Sequence, residues 1–426
     1  DWSSDVCSSD LALVLSFISA VLVSPISFSE DLADQVKIRR TAYGVPHILG
    51  ENLRAGGFGL GYAQAEDHLE SLMMVIIRAK SESAKLFGGE ENIERDFRNK
   101  EFRVQARALE TYHLLHQDLR DLLEGYAAGV NRYIEQQRDE IPDWVQPISG
   151  HDIAIRGISY MDSFSFNRRN IIKRFRDSMA TDTAMADPSD KENDLMGSNQ
   201  WALSPSRTKS GNAMLLVNPH LTWSQERQYY EAHLTVPGVV NAYGGAMLGA
   251  PVFRHAFNDN TGWALTVNYP TLEVIYELDV DPDNPDHYLM DGGSVPLRRE
   301  EVTVEFKTDD GLRSETRTYW HSPIGPVIHR TPKEIFIIKS SAYSQFRLFE
   351  QWLRQTQANN LEEFKAALGM QHAIMYNIAY ADREGNIFYI WNGRVPVIPH
   401  DTAGDIGVYA STTSDIWTRI HEMDEL

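Results

Sequence analysis

Cysteine is almost absent from the 426-residue chain: the single one, Cys7, lies in the opening stretch DWSSDVCSSDL. That stretch, residues 1–11, reads as an adapter-like, non-native segment and is set aside from the fold. With Cys7 goes every route to a disulfide framework, a Cys-ligated zinc or a thiolate nucleophile. Basic charge is also scarce, with Lys plus Arg at 40 against 60 for Asp plus Glu; the net charge is −20, or −17 without Asp1, Asp5 and Asp10. Binding to nucleic acid through counterion release needs clustered Lys and Arg, so no nucleic-acid partner is expected. Catalytic signatures are missing too: there is no Gly-x-Ser-x-Gly elbow, no P-loop lysine, and no second histidine at zincin spacing from His421-Glu422. No metal and no cofactor are assigned.

One uncharged apolar run stands out, LALVLSFISAVLVSPISF from Leu11 to Phe28. It reads as a secretory signal peptide, residues 12–29, rather than an anchor. It is near the lower length limit for a bilayer span, contains Pro25, and ends in small polar residues before Glu30. A periplasmic or secreted protein with no stable membrane anchor is the expectation. With 42% hydrophobic residues the remainder can build a globular core.

Val36 to Ile48 reads as two short strands around a Tyr43-Gly44 turn, with Pro46 barring a helix. The glycines of AGGFGLGYAQAEDHLE precede an amphipathic helix running through Leu69, Leu72, Met73, Ile76 and Ile77. Gly57, Gly59 and Gly61 lack the third spacing of a dinucleotide fingerprint, and are read as tight backbone packing. Arg103 to Gln137 is strongly helical by its three-or-four apolar spacing. Arg176 to Gly197 is polar and acidic with little periodic pattern, as a surface linker or removable spacer would be. Beyond it come short apolar or alternating runs typical of strands: 213–217, 263–267, 274–280, 302–306, 334–338 and 386–391. An α-rich part, a spacer and a β-rich part predict an α+β fold.

Within the β-rich part, Asn199 to Ser204 and Ala213 to Asn218 are readable as a hairpin joined through Pro205 to Asn212. Its geometry brings Ser198 and His220 to one end of the sheet, a hydroxyl near an imidazole beside a cleavable spacer. On spacing alone His220 is a structural histidine beside a proline.

The segment GSNQWALSPSRTKSGNAMLLVNPHLTW, Gly197 to Trp223, closely resembles the start of the catalytic chain in the penicillin acylase family of N-terminal nucleophile hydrolases. The resemblance continues in ERQYYEAHLTVPGVVNAYGGAMLGAPV and HAFNDNTGWALTVN, and upstream in RTAYGVPHI and GFGLGYAQAEDHLE, covering nearly the whole chain after the signal. It implies an αββα sandwich, an α-chain over 30–175, a spacer propeptide over 176–197, and the N-terminal part of a catalytic β-chain over 198–426. It also implies scission between Gly197 and Ser198, with Ser198 then acting as nucleophile through its hydroxyl and as base through its new α-amine. The two chains from one precursor would form a heterodimer. His220 matches the position that orients the amine and serine, Val267 matches a backbone oxyanion donor, and Asn199 is a supporting residue for scission or for the strand start.

The family's second oxyanion donor, an Asn side chain much further on, is not found, and the chain reads as a C-terminally truncated fragment. Asn377 comes too early for that role and is read as structural. The stretch NYPTLE (268–273) lacks the aspartate pattern of the family members that bind calcium. Within the family, His220 and the wording NPHLTW with the downstream HLTVPG look more like the branch acting on N-acyl-homoserine lactones and fatty-acyl peptides, which implies a small-molecule acyl amide substrate of the long-acyl class, with β-lactam acylase as the alternative reading. Trp223, Met247, Leu248 and Val252 are candidate walls of an acyl pocket, though each reads first as plain core. Two readings from other classes stand beside these: a non-catalytic remnant or binding protein of the same fold, and a periplasmic solute-binding protein, whose two repeated lobes the pattern does not supply.

Overall fold

The computed structural model describes residues 31–163, 165, 171–179, 197–221, 223, 227–401 and 407–426. The adapter-like segment, the signal peptide and residues 180–196 of the spacer lie outside the described residues. The first part holds β1 (Val36–Arg40), β2 (Pro46–Gly50), α1 (Leu53–Ala79), α2 (Ser83–Phe87), α3 (Glu90–Glu101), α4 (Val104–Thr111), α5 (Gln117–Gln136), α6 (Gly150–Asp162) and α7 (Ile171–Met179). The second opens with β3 (Ser198–Leu203), β4 (Met214–Pro219), β5 (Tyr229–Val236), β6 (Val240–Met247), β7 (Phe253–Asn258), β8 (Thr261–Thr266) and β9 (Glu273–Asp281). It continues with β10 (Asn284–Met290), β11 (Gly293–Pro296), β12 (Arg298–Thr308), β13 (Gly311–His321), β14 (Val327–Arg330) and β15 (Glu334–Ser340). It ends with α8 (Leu348–Gln357), α9 (Leu361–Leu368), β16 (Met375–Asp382), β17 (Ile387–Gly393) and β18 (Val408–Tyr409).

The fold is mixed α and β, and the division into an α-rich and a β-rich part is less clean than the sequence suggests. An eight-stranded sheet runs β1-β2-β5-β6-β7-β8-β16-β17, so strands from both sides of the spacer share it. The junction is β2 beside β5, parallel, with Ile48 opposite Leu234. A second sheet runs β11-β10-β9-β15-β14, with β18 parallel to β9, and β12–β13 and β3–β4 are separate hairpins.

Helix α1 lies on one face of the large sheet, and a Cβ on Gly56 would sit 3.0 Å from Val236 Cγ2 and 3.1 Å from Leu234 Cδ1. The Gly56–Gly61 glycines lie inside this helix rather than before it. The helix opens at Leu53 because Asn52 caps it, its side chain accepting from Ala55 N at 2.9 Å. The packing role read for the glycines holds at α1 against α5. A Cβ on Gly57 would come within 2.3 Å of Leu122 O, and one on Gly61 within 2.1 Å of Tyr126 O. The partner helix answers in kind, Gly125 lying against Arg54 O and Gly129 against Phe58 O, where a Cβ would come within 1.9 and 2.0 Å. Only hydrogen at these positions lets the two backbones approach this closely.

Three boundaries differ from expectation. The helical stretch from Arg103 to Gln137 is broken: His116 is extended and its ring accepts from Asp118 N at 3.3 Å, capping α5. Helix α7 runs to Met179, past the predicted start of the spacer, because Phe175 is buried against Phe336 and Arg176 donates to Ile328 O at 3.2 Å. Helices α8 and α9 interrupt the β-rich part; α8 buries Leu348, Phe349, Trp352 and Leu353 at helical spacing, and Asn360 caps α9 by accepting from Glu363 N at 2.9 Å.

In the helical layer, Arg107 of α4 donates twice to Asp162 of α6, at 2.8 and 3.1 Å, with its guanidinium 4.5 Å from the centre of the Tyr343 ring. Removing one partner of a buried pair leaves the other charge uncompensated. Asp162→Ala is therefore expected to lower unfolding stability by about 3–5 kcal/mol, read from the urea midpoint.

Burial, helped by Arg298 at one and by Arg394 and Arg347 at the other, pushes His321 and His372 down to about 4. The Gln345 amide, turned with its nitrogen toward His372, donates to Nδ1 at 2.5 Å and suits a neutral ring. Unfolded histidines titrate near pH ~6.5, so the unfolded chain takes up protons first as the pH falls. The stability these rings contribute is present above that pH and is lost between it and about 4. Urea midpoints measured from pH 7 to 4.5 should fall, and His372→Gln should flatten the slope.

Candidate active site at the start of β3

The hairpin expected around Ser198 is present. Its register pairs Ser198 with Pro219, Asn199 with Asn218, Trp201 with Leu216 and Leu203 with Met214. One step further out, His220 N donates to Gly197 O at 2.9 Å, so the ladder runs on through the Gly197–Ser198 peptide bond. The Ser198 hydroxyl donates to that same carbonyl oxygen at 2.5 Å.

The pleat then separates two residues that the sequence placed together. Side chains alternate across a strand, so Ser198, Gln200, Leu215, Val217 and Pro219 share one face of the hairpin, and Asn199, Trp201, Leu216, Asn218 and His220 the other. Ser198 and His220 do meet at one end of the hairpin, but the hydroxyl bonds to the Gly197 carbonyl while the imidazole bonds to Asn199, Nδ2 to Nε2, at 3.2 Å. The other ring nitrogen, Nδ1, lies on the Gly197 side: a Cβ on Gly197 would stand 3.5 Å from it, an ordinary contact.

The hairpin rests on β8 and β16. A Cβ on Gly262 of β8 would lie 3.4 Å from Leu215 Cδ2. Between hairpin and sheet is a cavity of about 780 Å³, lined by Leu215, Val217 and Pro219 on one side and by Tyr243, Phe257 and Glu231 on the other. Tyr243 donates to Glu231 Oε1 at 2.5 Å within it. His255, also in the lining, is held neutral: burial, then Arg254, push its ring well below the usual histidine range.

The acyl-pocket wall named from the sequence is not assembled here. Met247, Leu248 and Val252 are buried at 2%, 0% and 3% exposure in the main core, because the end of β6 and the turn after it pack against the helices, and Trp223 is 95% exposed. Leu215, Val217 and Phe257, which line the cavity instead, were missed. Leu215 and Val217 were legible in principle, since the predicted hairpin puts them on the Ser198 face; Phe257 depends on which strands the hairpin covers. The His220 N–H is a backbone donor that no residue type signals; only the strand register implies it.

Val267 follows β8 directly and packs half-buried against the main core. Asn377 stands opposite Thr266 in the β8–β16 ladder, donates to Thr266 Oγ1 at 3.1 Å, and accepts from Tyr389 OH at 2.8 Å. Both ends of that amide are engaged, as a structural asparagine requires. Among the described residues no group of three or more His, Cys, Asp or Glu is placed to hold a metal ion, and no helix is long and apolar enough to cross a membrane.

A family model described as penicillin amidase matches residues 35–426. The acyl-homoserine lactone acylase PvdQ of Pseudomonas fluorescens is 30% identical over 417 residues, 88% of this chain and 52% of that protein. The aculeacin-A acylase of Actinoplanes utahensis is 28% identical over 423 residues, 90% of this chain and 53% of that protein. The chain thus spans about half the length of the curated relatives it matches. A solved thermostable penicillin G acylase from Alcaligenes faecalis aligns with a TM-score of 0.46 at 21% identity, over 53% of this chain and 40% of that one.

Replacing Asn377 should separate structure from chemistry at this site. Asn377→Ala is expected to cost about 1–3 kcal/mol of stability, the net worth of two hydrogen bonds, and to leave the pattern of chains on a denaturing gel unchanged.

Proposed function

Since the chain belongs to the penicillin amidase family, we propose that it is the nucleophile-bearing part of an amide hydrolase that matures by cutting itself between Gly197 and Ser198. The observation that carries this reading is the engagement of one carbonyl. Gly197 O accepts from the Ser198 hydroxyl at 2.5 Å and from His220 N–H at 2.9 Å. A nucleophile sits beside the carbonyl, and a fixed donor already bonds to the oxygen on which negative charge would develop.

In the proposed scission Ser198 Oγ bonds to the Gly197 carbonyl carbon and the carbon–nitrogen bond breaks. The nitrogen ends with the proton that Oγ gives up, leaving an ester. Water then hydrolyses the ester to a Gly197 carboxylate, a free Ser198 hydroxyl and a free α-amine. Such an amine has a reference pKa of about 7.7–8.0, so near neutral pH part of it is unprotonated and can serve as base. Ser198 would then attack the substrate amide to form an acyl-enzyme, the amine product leaves, and water releases the acid. Val267 N–H is proposed as one oxyanion donor and His220 as the residue that orients the new terminus; loss of an oxyanion donor typically costs ~10²–10³ in turnover.

The expected substrates are N-acyl-homoserine lactones or related long-acyl amides. The relatives named for acyl-homoserine lactone and aculeacin-A support that class. The cavity beneath the Ser198 face of the hairpin, apolar at Leu215, Val217 and Phe257, supports room for an acyl chain, in place of the wall first drawn from Met247, Leu248, Val252 and Trp223. The αββα sandwich belongs to the same proposal, supported by α1 on one face of the large sheet and the hairpin on the other. So do the α-chain over 30–175, the removed spacer over 176–197, the catalytic chain from 198, and passage to the periplasm or beyond. The two chains would stay together as a heterodimer, since β2 and β5 share a sheet and α1 packs against β5.

Expression of the gene product should yield two chains, and N-terminal sequencing of the one that follows the spacer should read Ser-Asn-Gln-Trp. Ser198→Ala should remain one chain and release no acid from acyl-homoserine lactones of any length. A Ser198→Ala protein that still splits and hydrolyses them would sink the proposal.

A further inference from the structure

Resting on that self-cleavage reading, we infer that Asn199 is a positioning residue that fixes the tautomer of His220. Neutral imidazole has one protonated and one bare nitrogen, and which is which follows from the partner each finds. Here the Asn199 amide nitrogen, which can only donate, lies 3.2 Å from His220 Nε2. Nε2 must therefore be the acceptor, and the proton resides on Nδ1.

The hairpin makes this pairing a consequence of register. Asn199 stands opposite Asn218, so His220, two residues on, is its diagonal neighbour on the same face. The backbone of His220 is tied in turn to Gly197 O. With both backbones held, the contact orders only two short side chains. The ring's Nδ1 end is the one near Gly197. The outcome is an N–H on the Gly197 side of the ring, beside the residue whose carbonyl precedes Ser198. In the acyl shift the oxygen–carbon bond forms and the carbon–nitrogen bond breaks. The proton given up by Oγ ends on the nitrogen, and the Nδ1–H stays on the ring as a hydrogen-bond donor, so none is gained or lost. Asn199 touches neither bond; it acts through the ring.

The test reads the ring directly. In Ser198→Ala protein labelled with ¹⁵N-histidine, held as one chain, the His220 resonances are assigned by their loss in a His220→Gln companion. Nε2 should show the shift of an unprotonated nitrogen and Nδ1 that of a protonated one. Adding Asn199→Asp, the same size but able only to accept, should reverse the two, and Asn199→Ala should give a mixture. With Ser198 intact, both Asn199 variants should slow splitting by about tenfold, the worth of one hydrogen bond. A protonated Nε2 with Asn199 in place, or a ring pattern unmoved by Asn199→Asp, overturns the inference. A structural role for Asn199 predicts that unmoved pattern. If the ring behaves as described but Ser198→Ala protein splits, the self-cleavage reading fails while the tautomer assignment stands.

Discussion

The site depends on the antiparallel register of β3 and β4. Pairing Ser198 with Pro219 places Gly197 opposite His220, and one backbone hydrogen bond then ties the carbonyl before the serine to the amide of the histidine. Slipping the register by a single residue would turn every side chain to the other face. Ser198 would leave the cavity side and His220 would lose Asn199. Placement of the hydroxyl, the carbonyl and the imidazole therefore follows from one set of ladder bonds rather than from three separate adjustments.

That hairpin is small and needs a rigid base, since two strands alone are marginal in water. The base is the eight-stranded sheet, made rigid by helices on its far face. Close approach of α1 and α5 through Gly57, Gly61, Gly125 and Gly129 brings the two backbones into contact, and the strands that precede α1 join the sheet where β2 pairs with β5. The residues before 176 are thus woven into the core of those after 197. A break at Gly197 would divide the chain covalently while leaving the buried surface intact.

Much of this was legible in residues. The alternation in Ala213 to Val217, the Pro205 to Asn212 turn segment and the short run before it specify a hairpin, because period-two patterning between turn residues has few other solutions. The glycines of α1 were readable as packing glycines, yet not as interior to the helix, since glycine is a poor helix former and close contact with α5 outweighs that preference only in the folded chain. The break at His116 and the helices α8 and α9 were hidden for a like reason: apolar spacing shows which face is buried, and capping contacts such as that of Asn360 with Glu363 N decide where a helix starts. Met247, Leu248 and Val252 read first as core and second as pocket wall, because apolar residues fit either and only packing tells core from cavity.

By itself the sequence determined the chemistry available: no thiol beyond Cys7, a serine after a glycine at the end of an acidic stretch, and a histidine at the far end of the paired strand. It also determined local pairing, because strand alternation and turn residues act over short distances. The tertiary structure alone decided which face each group occupies and what lies beneath it. It sent the Ser198 hydroxyl to the Gly197 carbonyl and the His220 ring to Asn199, and it set Leu215 and Val217 over a cavity formed with Tyr243 and Phe257. Those contacts join residues distant in the chain, and only the packing of the hairpin on the sheet brings them together.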